Sequence, residues 1–518
     1  MRAKNSFFNS LVLYMMVVIR VVAGFILIRL IISLYGSNIN GLDASILSTL
    51  SYLDLVEGGV GSAILYHLYK PLAIGNRDDV NSVLTYTNII YKKIGTLIIL
   101  GIVVIAMVYP YLITSFADKV FVVELIFING ALTVSSYFFD GKYSILMAAD
   151  QKLRYTTVAN ILETLVGKCL AIVLALYHQP FIMIKLCLIL GMVIRIGIIY
   201  YFKAKHYSWV NIKGSKSDNL TTKKIIVNDS KDIFIQKLCS SIFATTDILL
   251  ISIFCGVASA SVYAVYNMVI AFLQQLMSPL VDAPLSSFGN IFTIDDKDHI
   301  RKVYNSYEHL IIIVTSIFTA SYLILINPFI AFYTHGITDA AYLNSGLALS
   351  LAVLFLIRYY RYMSASILNV TGNFQKAKKY YFIETLVNII LSIALIKTIG
   401  MIGVVIASVI AVMTSGTFMV KYVNKVVLIQ SLVPLMKKIF VNSSVVGLIT
   451  IVLIYLRQLN QRYIMLIISN LSLLIFSIAA IIAINILFWP DTYLDLKRYL
   501  DVLIKLKERW SKKEPDSI

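Results

Sequence analysis

The stretch ILETLVGKCLAIVL at residues 161–174 returns as FIETLVNIILSIAL at residues 382–395. The shared core is Glu163-Thr164-Leu165-Val166 against Glu384-Thr385-Leu386-Val387, an offset of 221 positions. Both runs are apolar enough to cross a bilayer, and both carry one acid at the same register. Three further matches fall at nearly the same offset: Ser144-Ile145-Leu146 with Ser366-Ile367-Leu368, Pro110 with Pro328, and Gly36 with Gly256. Four matches at equivalent places in successive apolar runs mark an internal duplication, which constrains the fold before any other feature does.

Outward from this pair the whole chain reads as membrane spans. Of its 518 residues 59% are hydrophobic and only 14% charged, and mean hydropathy is +0.83. Soluble domains run about 45–50% apolar and about 25% charged, so a soluble globular protein and a disordered chain are both excluded. Apolar runs bounded by charge or turn residues fall at 10–34, 44–68, 83–109, 120–146, 156–177, 181–202, 234–255, 260–288, 304–329, 341–368, 380–396, 400–420, 438–456 and 463–488. A span takes about 20 apolar residues. The expected fold is therefore an all-α polytopic membrane protein with about fourteen transmembrane helices. The duplication divides it into two six-helix halves, 1–205 and 233–427, joined by a basic linker at 206–232. Helices 13 and 14 (428–488) and a tail (489–518) follow. Six spans per repeat give both halves the same orientation, as in transporters whose halves are related by an axis along the membrane normal. The spans 44–68 and 341–368 are the most polar and are expected to face protein or water rather than lipid. The N-terminus looks like a signal peptide, but its apolar run continues to about Tyr35 without a cleavage site, so it is expected to be an uncleaved first helix.

The formal net charge of +18 would suggest nucleic acid in a soluble protein. Sorted along the spans it has another meaning. With the N-terminus inside, 36 of the 45 Lys and Arg residues fall in cytoplasmic segments, 4 outside and 5 within spans. That bias sets N-in, C-in topology. It also brings the cytoplasmic surface against anionic phospholipids, and no nucleic-acid partner is expected.

The charges left inside the membrane are the informative ones, because each must face a cavity or a partner of opposite sign. Arg20 and Arg29 lie in the first span, nine residues apart and so on opposite sides of a helix turning about 100° per residue. Arg195 lies in the sixth. A guanidinium suits bidentate recognition of phosphate, so these three are candidate substrate-binding residues. Asp54 and Glu57 share a face of the second span at i, i+3 spacing. Asp247 lies in the seventh span and Asp282 in the eighth. These four acids are candidates for ion coupling, or for structural ion pairs with the arginines. The same two helices are weakened at matching depth: Gly58, Gly59 and Gly61 in the second, Pro279 and Pro284 in the eighth, and Gly59 plus an offset of 220 lands on Pro279. Such interruptions at equivalent positions point to a hinge or a binding site, and close helix packing is the alternative for the glycines. Glu163 and Glu384 read as acids serving the N-terminal dipoles of their helices. His309 beside Glu308 is a candidate proton relay.

No catalytic or cofactor signature is present. There is no P-loop, GxSxG, HExxH or kinase motif. The four cysteines are scattered singly, so no metal site is implied. A secondary transporter rather than an enzyme is expected, with no cofactor.

Three strings carry a family resemblance: RLIISLYGSNINGLDASILSTLSYLDLVEGGVGSAILYHLYKPLA at 29–73, TTDILLISIFCG at 245–256, and SASILNVTGNFQKAKKY at 364–380. With fourteen spans and two six-helix halves, they resemble the polysaccharide-transport branch of the multidrug/oligosaccharidyl-lipid/polysaccharide exporter superfamily. Within it they are similar to bacterial flippases of undecaprenyl-pyrophosphate-linked O-antigen or capsule repeat units. The resemblance implies a V-shaped bundle with a cationic central cavity, alternating access, and an ion gradient rather than ATP as the energy source. It implies a lipid-linked oligosaccharide as partner, a monomer, polysaccharide polymerase machinery nearby, and the bacterial cytoplasmic (inner) membrane as location. Arg20, followed by Gly24, loosely resembles the first-helix arginine of lipid II flippases. The arginine–aspartate motif of those proteins is absent, since Arg29 is followed by Leu30, which speaks against lipid II as substrate. A drug or cation antiporter of the same superfamily, and a membrane glycan polymerase or glycosyltransferase, are the alternative readings.

Overall fold

The structure is a computed structural model that describes residues 2–114, 116, 118–212, 231–282, 297–459 and 463–490. All regular elements among the described residues are helical. They are α1 (Arg2–Tyr35), α2 (Ser37–Leu50), a 3-10 segment (Ser51–Glu57), α3 (Val60–Ile74), α4 (Arg77–Leu112), α5 (Lys119–Phe138), α6 (Gly141–Ala149), α7 (Leu153–Leu176) and α8 (Phe181–His206). There follow α9 (Lys231–Phe254), α10 (Val257–Asp282), α11 (Lys297–Tyr333), α12 (Ser345–Tyr360), α13 (Tyr362–Val370), α14 (Phe374–Ile399), α15 (Met401–Tyr422), a π turn (Val423–Val427), α16 (Val433–Leu459) and α17 (Tyr463–Phe488). Thirteen helical stretches among the described residues are long and apolar enough to cross a membrane.

The expected span 44–68 is not among them, because it is not one helix. It consists of the end of α2, the 3-10 segment and most of α3. The break falls on Gly58 (φ 56°, ψ 24°) and Gly59 (φ 83°, ψ 8°), two consecutive left-handed residues. A residue with a Cβ pays roughly 1–2 kcal/mol in that region, so the glycine pair is what permits the break. Its counterpart in the second repeat behaves differently: Pro279 sits inside α10, which runs unbroken to Asp282.

Two other expected spans are also bent. The span 120–146 divides into α5 and α6 at Phe139–Asp140, and the span 341–368 into α12 and α13 at Arg361. The stretch Ser345–Val370 is the most enclosed of the thirteen, with 67% of its apolar window buried, as its polarity implies.

Contacts divide the chain into two compact units. The first comprises Met1–Met268, Tyr333–Tyr342 and Thr385–Ala407. Its core surrounds α2, which packs against α1, α5 and α9, and Leu42, Ile46 and Leu50 there are almost completely buried. The second unit comprises Val269–Phe332, Leu343–Glu384 and Ser408–Ile518. One of its clusters joins Ala320 and Ile324 of α11 to Ile449 and Leu453 of α16 and Leu473 and Ile481 of α17. Outward faces stay apolar: Leu97, Leu100, Val104 and Met107 line one side of α4, and Leu448, Ile451 and Tyr455 one side of α16. At i, i+3, i+4 spacing these form stripes suited to lipid, where helices satisfy their own backbone hydrogen bonds.

Candidate functional site: a polar cavity in the first unit

The broken second span, the bend between α5 and α6, and α7 and α8 enclose a cavity of about 770 Å³. Its lining includes Asp54, Glu57 and Gly61 of the broken span, Tyr91 of α4, Thr133, Ser136 and Tyr137 of α5, and Ser144, Thr156, Asn160 and Arg195. The sequence-predicted residues Asp54, Glu57, Gly61 and Arg195 therefore come together here. Arg20, Arg29 and Asp247 do not line it.

The glycines of the break serve this lining directly. A Cβ on Gly61 would lie 2.5 Å from Glu57 Oε1 and 3.3 Å from the Tyr91 hydroxyl. The missing side chain at Gly61 leaves room for the Glu57 carboxylate to fold back against α3. The Tyr91 hydroxyl donates to Glu57 Oε1 at 3.2 Å and the Tyr137 hydroxyl to Oε2 at 3.4 Å. The two rings meet edge to face, centroids 5.5 Å apart. Asp54, one turn earlier, is exposed. Neither Asp54 nor Glu57 has an ion-pair partner among the described residues. Lys237 of α9 brings its ammonium to 3.8 Å from the Cβ position of Gly59, at the edge of this region.

Arg195 also lines the cavity and is already engaged. Its Nη1 lies 2.9 Å from Asp140 Oδ2 and donates to Ser136 Oγ at 3.0 Å, and its Nη2 donates to Ser135 Oγ at 3.2 Å. Its Nε stands 3.3 Å from Glu163 Oε2. Asp140 is fully buried at the bend, and one of its oxygens, Oδ1, has no hydrogen-bond partner. Glu163 is ten residues into α7. Helix dipoles act within the first turn, so the dipole account of Glu163 is replaced by this ion pair. The sequence reading missed Asp140, which stands in FFDGKYS and reads as an ordinary residue at the end of a span.

The other sequence-predicted residues sit elsewhere. Arg20 is exposed on α1, and its backbone oxygen accepts from Lys168 Nζ at 3.1 Å. The Arg29 guanidinium lies over the Tyr333 ring, 5.9 Å from its centroid. Asp247 is buried in α9 and accepts from the Tyr263 hydroxyl at 3.4 Å. Pro284 lies outside the described residues, and of Asp282 only the backbone is described.

Two buried polar groupings were not anticipated. In the first unit Lys185 of α8 pairs with Asp43 of α2 at 2.6 Å, and Asn129 of α5 donates to the same carboxylate at 3.0 Å. In the second unit Arg361, at the α12–α13 bend, holds Glu384 of α14 through two hydrogen bonds of 2.6 and 2.8 Å. Ser415 of α15 closes that cluster. Arg361 is only 7% exposed, although the charge count places it among cytoplasmic loop residues. His309 faces Asn485 of α17 at 2.8 Å and the edge of Trp489.

No family model and no curated protein matches this sequence. Solved structures do match the fold. An inward-facing multidrug resistance MATE family transporter of the MOP superfamily superposes with a TM-score of 0.61 at 14% identity, covering 83% of this chain and 99% of that one. The lipid II flippase MurJ in an inward closed conformation superposes with a TM-score of 0.63 at 16% identity, covering 94% of this chain and 99% of that one. An outward-facing MATE transporter gives 0.52 at 15% identity over 84% of this chain. The chain is a multi-pass membrane protein, and its fold is the one these transporters share.

Proposed function

We propose that the chain is a flippase that moves undecaprenyl-pyrophosphate-linked oligosaccharide repeat units across the bacterial cytoplasmic membrane, for surface polysaccharide such as O-antigen or capsule. It works by alternating access coupled to an ion gradient, with both termini inside. The observation that carries this reading is the polar cavity. Sites for organic ligands run about 300–1,000 Å³, and here a space of about 770 Å³ opens within the membrane-spanning helices, lined by hydroxyls, an amide and charged groups. A lipid-facing bundle has no use for such a surface unless something polar passes through it. The sugar head would enter the cavity while the polyprenyl chain stays among the lipids. The Arg20 side of α1 would meet the pyrophosphate.

Chain length supports the flippase over the drug exporters. The first MATE structure is itself covered almost entirely yet leaves about one sixth of this chain unmatched, roughly the length from residue 428 onward, whereas MurJ covers 94%. The test is complementation of a flippase-null strain. Glu57→Gln is expected to lose surface glycan at normal protein level, and retained glycan would overturn the assignment. The two unpaired acids Asp54 and Glu57 are what favour a second reading, a cation antiporter. Uptake of a lipophilic cation into energised vesicles, with no movement of lipid-linked glycan, would establish it.

A further inference from the structure

We infer that the cavity in the first unit selects saccharide heads without acidic groups, and that Asp54 is its specificity-determining residue. This rests on the flippase reading above and adds the substrate class.

The charges on the walls carry the argument. The one guanidinium that lines the cavity, Arg195, spends its donors on Asp140, Ser136 and Ser135, with Glu163 beside its Nε. A guanidinium has five N–H donors in a fixed fork, and this one faces two carboxylates before any ligand arrives. It is therefore not an open anion site. Asp54 and Glu57 line the same cavity, and neither is in an ion pair with a described residue. Glu57 is held as an acceptor by the two tyrosine hydroxyls. Asp54, exposed and unbonded, is the carboxylate available to a ligand.

Such a lining accepts hydrogen bonds and repels anions. Sugar hydroxyls are donors, and carboxylates make short, charge-assisted bonds to them. Thr133, Ser144 and Asn160 add neutral partners to the lining. A uronic or other acidic sugar would instead bring its carboxylate against Asp54 and Glu57, where like charges repel. The discrimination is thus built from repulsion as well as attraction.

The experiment reconstitutes the full chain in proteoliposomes with two polyprenyl-pyrophosphate-linked oligosaccharides of equal length, one neutral and one carrying a uronic acid. Accessibility of the head to an external glycosidase reports translocation. Wild type is expected to move the neutral head about tenfold faster or more, and Asp54→Asn to shrink that ratio by raising the acidic arm. Asp54→Glu, which keeps the charge, is expected to retain the preference. Equal rates for the two heads in the wild type overturn the inference while leaving the flippase reading standing. An unchanged ratio in Asp54→Asn removes Asp54 as its cause. Movement of neither head overturns the flippase reading and this inference together.

Discussion

The bend between α5 and α6 and the bend between α12 and α13 occupy the same place in the two repeats. Each introduces a nine-residue helix, and each is held by one residue of nearly helical geometry, Asp140 (φ −109°, ψ −16°) and Arg361 (φ −92°, ψ −10°). Both stand at the 221-residue offset that relates Glu163 to Glu384. The same offset relates Arg195 to Gly416. In the first repeat an acid at the bend meets an arginine from α8, with Glu163 as the second acid. In the second repeat the arginine comes from the bend itself, and α15 offers a glycine where α8 offers the arginine. A Cβ on Gly416 would lie 3.1 Å from the Arg361 side chain, so the missing side chain makes room for the transposed one. The ion pair is retained and the cation has changed helices.

The exchange has a functional side. In the first repeat Arg195 lines the cavity and its partner Glu163 has a side chain 31% exposed. In the second the Arg361 and Glu384 side chains are 8% and 3% exposed. One copy can meet a ligand, and the other is an interior brace.

Removing the brace is the strongest way to break this comparison. Arg361→Ala leaves the Glu384 carboxylate buried without its cation, at an expected cost of about 3–5 kcal/mol. The melting temperature in detergent should fall accordingly, and an unchanged value would show that the pair is not structural. Arg195→Ala leaves Asp140, whose side chain is only 1% exposed, without its cation in the same way, so a loss of similar size, about 3–5 kcal/mol, is expected. Glu163→Gln is expected to cost less than Glu384→Gln, and comparing those two melting temperatures tests the wet-versus-dry distinction. Rebuilding the first-repeat arrangement in the second sharpens the point. Arg361→Asp combined with Gly416→Arg should recover about 2 kcal/mol relative to Arg361→Asp alone, measured as coupling in a double-mutant cycle. The smallest effect separates the two second helices: Gly59→Ala, at φ 83°, should cost about 1 kcal/mol. In detergent-solubilised protein that is a shift of a few degrees, and a neutral result would mean the break does not need the left-handed backbone.

The duplication and the count of apolar runs were legible in the sequence because hydrophobic length and repeated identity are one-dimensional signals. The ETLV core, Pro110 with Pro328, and Gly36 with Gly256 all correspond to real features: Gly36 and Gly256 both adopt positive φ, at 89° and 87°. Glu57, Asp54 and Arg195 were legible as a set because charge within an apolar run is conspicuous. Their grouping into one cavity, and their separation from Arg20 and Arg29, was not, since it depends on how separate helices pack. Arg361 was hidden by its company: with Arg358 and three lysines following, it reads as part of a loop. Asp140 and Asp43 were hidden by neighbouring Gly and Ser, which make an acid look like turn punctuation. The partner that buries each lies tens to over a hundred residues away, as Lys185 does for Asp43.

The interruption at Gly58–Gly59 carries one further consequence. A helix that restarts at Val60 leaves the amides of its first turn without carbonyls four residues back. Within hydrocarbon that deficit is tolerated only beside water or protein. Val60 and Gly61 should therefore take up deuterium in minutes when the bilayer-embedded protein is diluted into heavy water, while the centre of α4 stays protonated. Isotope labelling of one short segment would thus report how far the aqueous phase reaches into the bundle.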